Sequence, residues 1–359
     1  MEERSRTINM TDAIQPNKET GGIAKEKVMS RLGIAEINPN EELGQHFLID
    51  DEAINLLAKA VNPGSTVIEI GPGVGQLTDA LAENSGKLVA IEIDRRYEPI
   101  LNEVIEEHPN VSVIFADALA IRFEDFLPKR KKEVTEEAVQ IVASLPYHIT
   151  EPFLHKLICL PLESITLVVG QRLSRAVQAK SEGDPDFGQL TLLAQTFFDI
   201  EVLAELDKHK FYPIPRTDSA VIRFIPKEEG EFRGDRRNFL LKRLFITAQR
   251  SPLVKNALKE GLIEFAQVSQ IGTRSKREHN KRMRNSIKNE LKQATLEYNH
   301  TGHLEEHQSD NYSSGQLTQN QARGIIAEMG IPQQILDKPF EQLNNNELEV
   351  LSKLLRITR

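Results

Sequence analysis

Cysteine occurs only once in this 359-residue chain, at Cys159, so disulfides within the chain and cysteine-based metal clusters are excluded. Its place in the apolar stretch Phe153 to Leu160 reads as core. No apolar run approaches the roughly 18 residues of a membrane span, and the N-terminus is polar where a secretory signal would be hydrophobic. A soluble, cytoplasmic protein with no membrane contact is expected. Positive charge is also in short supply, with a net charge of -8 and a pI near 5.7. That balance excludes a protein that coats nucleic acid through its whole surface, because phosphate binding needs clustered cations. Any nucleic-acid site must therefore be a local basic patch. No internal repeat is visible.

What the chain has is length and enough apolar content, 39%, to bury a sizeable core, and the length suggests two globular units. Residues 1–38 are mixed polar and charged, with a short helix around Ala24 to Leu32, and read as a mobile extension. From Gly44 short apolar runs alternate with helical stretches, the pattern of a parallel α/β sheet, so residues 39–227 form the first expected domain. Its strand candidates are Thr66 to Ile70, Leu88 to Ile93, Val111 to Phe115, Gln140 to Ala143 and Ile165 to Val169, all rich in β-branched residues. Glu201 to Leu206 and Ser219 to Ile225 flank the turn Tyr212-Pro213-Ile214-Pro215 and read as a closing antiparallel pair. Residues 228–359 carry helical periodicity, first at Phe239, Leu240, Leu244, Phe245 and Leu258, later at Ile325, Ile326, Leu348 and Leu351. A polar and basic insertion at about 272–319, with Arg274, Lys276, Arg277, Lys281, Arg282 and Arg284 close together, interrupts this helical domain.

The string Glu69-Ile70-Gly71-Pro72-Gly73-Val74-Gly75-Gln76-Leu77-Thr78 follows one expected strand and opens a helix, so its glycines can bring backbone close to a ligand. Alone it is equally a tight structural turn or a cofactor loop. The next strand ends in Ile91-Glu92-Ile93-Asp94, with an acid about twenty residues on, where doubly wound folds hold ribose hydroxyls. A dinucleotide enzyme or a plain surface glutamate fits that spacing too. A third strand ends at Asp117, whose carboxylate can accept from an adenine amine, an element that nicotinamide enzymes do not usually require. With the next motif, this favours S-adenosyl-L-methionine as cofactor.

Ser144-Leu145-Pro146-Tyr147 follows the fourth strand. An adenine exocyclic amine is a poor nucleophile, since its lone pair is delocalised into the ring. Acceptors aimed at its hydrogens can draw the nitrogen toward tetrahedral geometry. Ser144 Oγ and the Leu145 carbonyl can supply them, Pro146 stiffens the turn and Tyr147 offers a stacking surface. In isolation a Pro-Tyr turn after a strand is the simpler reading; at the end of a cofactor-binding sheet it reads as a catalytic turn. No metal is required, and His148 is given no role.

These residues resemble the KsgA-type rRNA adenine N6-dimethyltransferase family from about Leu43 to Pro226, with patches beyond. Gly44-Gln45-His46-Phe47-Leu48, Glu69 to Thr78 and Ser144 to Tyr147 look like its motifs. So does Pro213-Ile214-Pro215-Arg216-Thr217-Asp218-Ser219-Ala220-Val221, the most family-specific string, and so do Asp186 to Leu190 and Phe245 to Asn256. The resemblance implies a Rossmann-like methyltransferase domain with a small α-helical C-terminal domain. It also implies transfer of four methyl groups to two adjacent adenosines near the 3′ end of small-subunit rRNA, on the pre-ribosomal small subunit, by a monomer. Carried over by position, Gln45, His46, Leu48, Gly71, Gly73, Glu92, Asp117 and Ser144 would bind the cofactor, Glu92 on ribose and Asp117 on adenine, with Phe47 and Leu48 near its methionine end. Ser144, Leu145, Pro146 and Tyr147 would form the catalytic set.

Three positions depart from the family. Ser144 stands where it ordinarily has Asn, Glu41 and Glu42 stand where basic residues are common, and Leu173 replaces an acid after Gln171. Ser144 motivates an alternative, an RNA-binding assembly factor that has lost methylation. A methyltransferase for large-subunit rRNA is a third reading.

Overall fold

The computed structural model describes residues 22–40, 44–127, 138–158, 160–180, 183–228, 231–232, 235–247, 253–271 and 317–355. The basic insertion up to residue 316, Glu41, Glu42 and Cys159 lie outside these residues.

The central sheet has seven strands: β2 (Thr66–Ile70), β3 (Lys87–Glu92), β4 (Val111–Phe115), β5 (Val139–Ser144), β6 (Ser164–Gly170), β7 (Phe198–Leu206) and β9 (Ser219–Pro226). Their spatial order is β4-β3-β2-β5-β6-β9-β7. The first five run parallel, and β9 is antiparallel to both β6 and β7. The expected strands are found within a residue or so of their places, except that β7 starts three residues earlier than expected. The closing pair does form, with its later member on the inside against β6.

Alternation along the parallel strands divides their side chains between two cores. Ile68, Ile141 and Ile165 join one with Phe153, Leu154 and Leu157 of α5 (Tyr147–Leu157). Val67, Val142 and Val168 join the other with Ile54 and Leu57 of α2 (Asp51–Lys59) and Leu77 and Leu81 of α3 (Gln76–Asn84). Burial on both faces explains the near-continuous apolar strands. Each fully buried Leu or Ile contributes about 1.5–3 kcal/mol. The parallel registers, Ile70 opposite both Ile91 and Ala143, and Glu92 opposite Phe115, bring the strand C-termini to one edge. Strand order reverses at β2, the place where open α/β sheets bind ligands.

Two features depart from the sequence reading. The stretch expected to be a mobile extension contains α1 (Ile23–Ile34), a helix docked on the domain with Val28 fully buried. Ala24, Val28 and Leu32, four residues apart, anchor it by burial, and Lys27 and Arg31 pair with the distant Asp79. A two-stranded sheet, β1 (Phe47–Leu48) against β8 (Phe211–Tyr212), also joins segments far apart in the chain.

Beyond β9, α8 (Arg236–Thr247), α9 (Val254–Ile271), α10 (Gln319–Glu328), α11 (Gln333–Leu336) and α12 (Asn345–Leu355) enclose a further core. Leu240, Leu244, Leu258, Ile326 and Leu351 meet there with Phe187 and Leu192, the latter from α7 (Gln189–Phe197). Phe245 joins this core to the sheet layer, its ring centroid 5.8 Å from Phe197 and 4.9 Å from Phe340. No helix among the described residues is long and apolar enough to cross a membrane.

Candidate active site

One cavity at the C-terminal edge of the sheet is lined by Gln45, His46, Phe47, Leu48, Gly71, Gly73, Glu92, Asp117, Ser144, Leu145 and Pro146. The residues proposed from sequence for the cofactor thus share one space with Ser144, Leu145 and Pro146, while Tyr147 is not among the lining residues. Tyr147 is the first residue of α5, directly after Pro146.

The glycine loop leaves β2 through Gly71 (φ +71°), Gly73 (φ +56°) and Gly75 (φ +81°), a conformation that L side chains rarely adopt. It is tied to β3, because Gly71 N donates to the Ile91 carbonyl at 2.9 Å and Gly73 N to Glu92 Oε2 at 3.0 Å. A Cβ at Gly73 would lie 2.7 Å from Phe47 Cε1. Gly73→Ala is therefore expected to lower stability by about 1–3 kcal/mol through its left-handed φ alone. It should also push Phe47 off the loop. A urea unfolding midpoint equal to wild type would show that the loop relaxes freely.

The Gly44–Leu48 segment closes the cavity from the opposite side. Gln45 Nε2 donates to Asp94 Oδ2 at 2.8 Å, and Gln45 Oε1 accepts from the Tyr97 hydroxyl and from Asn40 N, each at 2.8 Å. His46 Nδ1 lies 2.8 Å from the Pro213 carbonyl, and a Cβ on Gly44 would sit 2.7 Å from Pro146 Cβ. This segment therefore touches both the end of β3 and the Ser144 to Tyr147 turn. In the turn, the Pro146 carbonyl accepts from Ile149 N at 3.1 Å and Thr150 Oγ1 at 3.2 Å, which fixes the start of α5. Ser144 is half-buried and Leu145 buried.

The carboxylates differ in setting. Glu92 is buried, which raises its pKa, while Oε1 accepts from Asp94 N at 2.8 Å and Oε2 from Gly73 N. Asp94 is held below the usual carboxylate range by hydrogen bonding from the Arg96 guanidinium. Asp117 is exposed and accepts from Leu119 N at 2.8 Å. Beneath the loop, Glu69 is 1% exposed, and among the described residues its Oε2 has no hydrogen-bond partner. Burial pushes its carboxyl up to about 8, with Asp79 and Glu92 acting in the same direction. A carboxyl raised on folding binds its proton more tightly in the folded than in the unfolded chain. Its contribution is therefore fully present below about 4.5 and is lost as pH rises toward about 8. Glu69→Gln keeps the neutral shape, so its melting temperature relative to wild type should climb between pH 5 and 8. A difference that stays flat across this window would mean that Glu69 is ionised in the fold.

Several residues of the cavity had gone unassigned in the sequence. Ile93, an exposed apolar side chain at 61%, Ala118 and Ile149 line it with Gln76 and Tyr97. Ile93 and Ala118 follow Glu92 and Asp117 directly, a signal that could have found them. Leu173, which replaces an acid, is buried in the main core, where an apolar side chain fits.

A sheet of this order, with a glycine loop after its first parallel strand and a Ser-Leu-Pro-Tyr turn after its fourth, defines a Rossmann-like methyltransferase. The chain belongs to the ribosomal RNA adenine dimethylase family, whose model matches residues 37–295. By family it is an rRNA adenine dimethyltransferase. The ribosomal RNA small subunit methyltransferase A of Bacillus cytotoxicus is 33% identical over 231 residues, covering 63% of this chain and 78% of that one. The protein of the same name from Shouchella clausii is 35% identical over 196 residues, covering 53% and 64% respectively. Among solved structures, a dimethyladenosine transferase from Plasmodium falciparum is similar with a TM-score of 0.47 and 20% identity, over 86% of this chain and 97% of that one.

Proposed function

We propose that this chain transfers methyl groups from S-adenosyl-L-methionine to the N6 atoms of two adjacent adenosines near the 3′ end of small-subunit rRNA, acting as a cytoplasmic monomer on the pre-ribosomal small subunit. The observation that carries the reading is the shared cavity, in which Glu92, Asp117 and the bare backbone of Gly71 and Gly73 face the same space as Ser144 and Leu145. The small-subunit assignment rests on the curated relatives, each named a small subunit methyltransferase. In this reading residues 39–227 are the catalytic unit and residues 228–359 a helical unit that engages RNA.

The lining fits the cofactor: Ile70, Ile91, Ile93 and Ala118 give apolar walls for a purine, and two carboxylates stand at neighbouring strand ends for hydroxyls and an amine. When bound, S-adenosyl-L-methionine supplies an electrophilic methyl group. Glu92 would hold the ribose and Asp117 the adenine amine. Ser144 Oγ and the Leu145 carbonyl would accept the two N6 hydrogens of the target base and localise its lone pair, and the Tyr147 ring would stack on the flipped base. The proton released after transfer can pass to water, so no general base is assigned. The test is incubation of unmethylated small subunits, and in parallel of unmethylated large subunits, with labelled cofactor, followed by mass spectrometry of each rRNA. Dimethyladenosine at adjacent positions is expected; label in large-subunit rRNA alone, or none, would overturn the assignment.

A further inference from the structure

Arg31 lies on α1, ahead of the residues that the family model matches, yet it reaches the glycine loop. Its Nη1 donates to the Val74 carbonyl at 2.7 Å and to Asp79 Oδ2 at 2.9 Å. Both side chains are largely withdrawn from solvent, 11% exposed for Arg31 and 10% for Asp79. Val74 is the loop residue between Gly73 and Gly75, and Asp79 lies in the first turn of α3, whose N-cap Gly75 has no side chain to cap it. One guanidinium therefore spans the loop and the helix that the loop opens.

The surroundings leave little freedom. A Cβ on Gly75 would come within 3.1 Å of Arg31 Nη1 and 2.8 Å of Val104 Cγ2. Val28 of α1 is fully buried beside this contact, in a small core with Val74 and Leu101. Asp79 also receives Lys27 Nζ at 2.5 Å and lies 3.3 Å from His108 Nε2. Two cations already neutralise this carboxylate, so Asp79, Glu107 and His108 are better read as an ion-pair cluster than as a cation site.

We infer that Arg31 is a positioning residue for cofactor binding, clamping the Val74 carbonyl so that Gly71 to Gly75 keep the curvature the cavity needs. The loop is then fixed from two sides, by Ile91 and Glu92 toward the sheet and by Arg31 from α1. Nη1 gives one of its two hydrogens to the carbonyl and the other to the carboxylate, at an angle that the planar guanidinium fixes, whereas a lysine ammonium turns freely on a flexible stem. Displacement of the loop by a fraction of an ångström weakens every backbone contact that it makes to a ligand.

This rests on the S-adenosyl-L-methionine reading, and calorimetric titration of the full chain with that cofactor separates the two. Arg31→Met should weaken binding about tenfold, Arg31→Lys less, and Lys25→Met, which removes an exposed charge from the same helix, not at all. In turnover, Arg31→Met should raise KM for the cofactor while leaving KM for the small subunit unchanged, a split that general loss of folded protein would not produce. If Arg31→Met does not fold, Arg31→Lys decides the matter, and affinity equal to wild type overturns the inference. Unchanged cofactor affinity in a folded Arg31→Met protein overturns it too, with the cofactor reading intact. Wild-type protein that binds no cofactor overturns both.

Discussion

Ser144→Ala is expected to lower methyl transfer about a hundredfold at saturating cofactor and RNA, the loss typical when one acceptor or donor aimed at the reacting group is removed. A hydroxyl carries two lone pairs and can accept one N6 hydrogen, and in the proposed mechanism the Leu145 carbonyl would take the other. Ser144 is half-buried at the end of β5 and lines the same cavity as the glycine loop, so its oxygen works where water competes poorly. Alanine would leave the amine with one acceptor and its lone pair largely in the ring. Cofactor affinity should fall much less than the rate. Ser144→Asn supplies the carboxamide usual in the family and should be at least as active as wild type. Tyr147→Ala should be worse than Tyr147→Phe, because stacking needs the ring more than the hydroxyl. Single-turnover transfer to unmethylated small subunits, read by mass spectrometry, measures each variant. Equal rates for Ser144→Ala and wild type would remove the hydroxyl from the mechanism. An inactive wild type rescued by Ser144→Asn would instead make this chain a binding factor.

The second large effect is on cofactor affinity. Asp117→Ala should weaken binding by about ten- to a hundredfold, the equivalent of about 1.5–3 kcal/mol for one charge-assisted hydrogen bond. Asp117 is exposed, and among the described residues its side chain accepts only from Leu119 N, so the variant should fold normally. Glu92→Ala should be more severe. Its carboxylate holds Gly73 N and Asp94 N, so the substitution removes the tether between loop and β3 together with the proposed ribose contact. Glu92→Gln keeps an acceptor for one of those amides and should fall between the two. Calorimetry on each purified variant, with circular dichroism to confirm the fold, gives the order. Glu92→Ala binding as tightly as Asp117→Ala would show that the tether is dispensable.

The strands, the glycine loop and the Ser144 to Tyr147 turn could be read from the chain because each is a local pattern. β-branched runs make strands, positive φ selects glycine at 71, 73 and 75, and an acid at the end of a strand or just beyond it lies at the sheet edge. These same local signals put Glu92 and Asp117 at the strand ends that line the cavity. Tertiary structure decided what depends on partners distant in sequence. Arg31 meets Val74 across 43 residues, Gln45 meets Asp94 across 49, and His46 meets Pro213 across 167. A hydrogen bond across such a separation leaves no periodicity in either segment, and an arginine on a weakly amphipathic helix looks like any solvated charge. That is why the short helix of the N-terminal stretch was legible in the chain while its docking was not. The chemistry of the site is written in neighbouring residues, whereas the stiffness of its loop comes from side chains that only folding brings together.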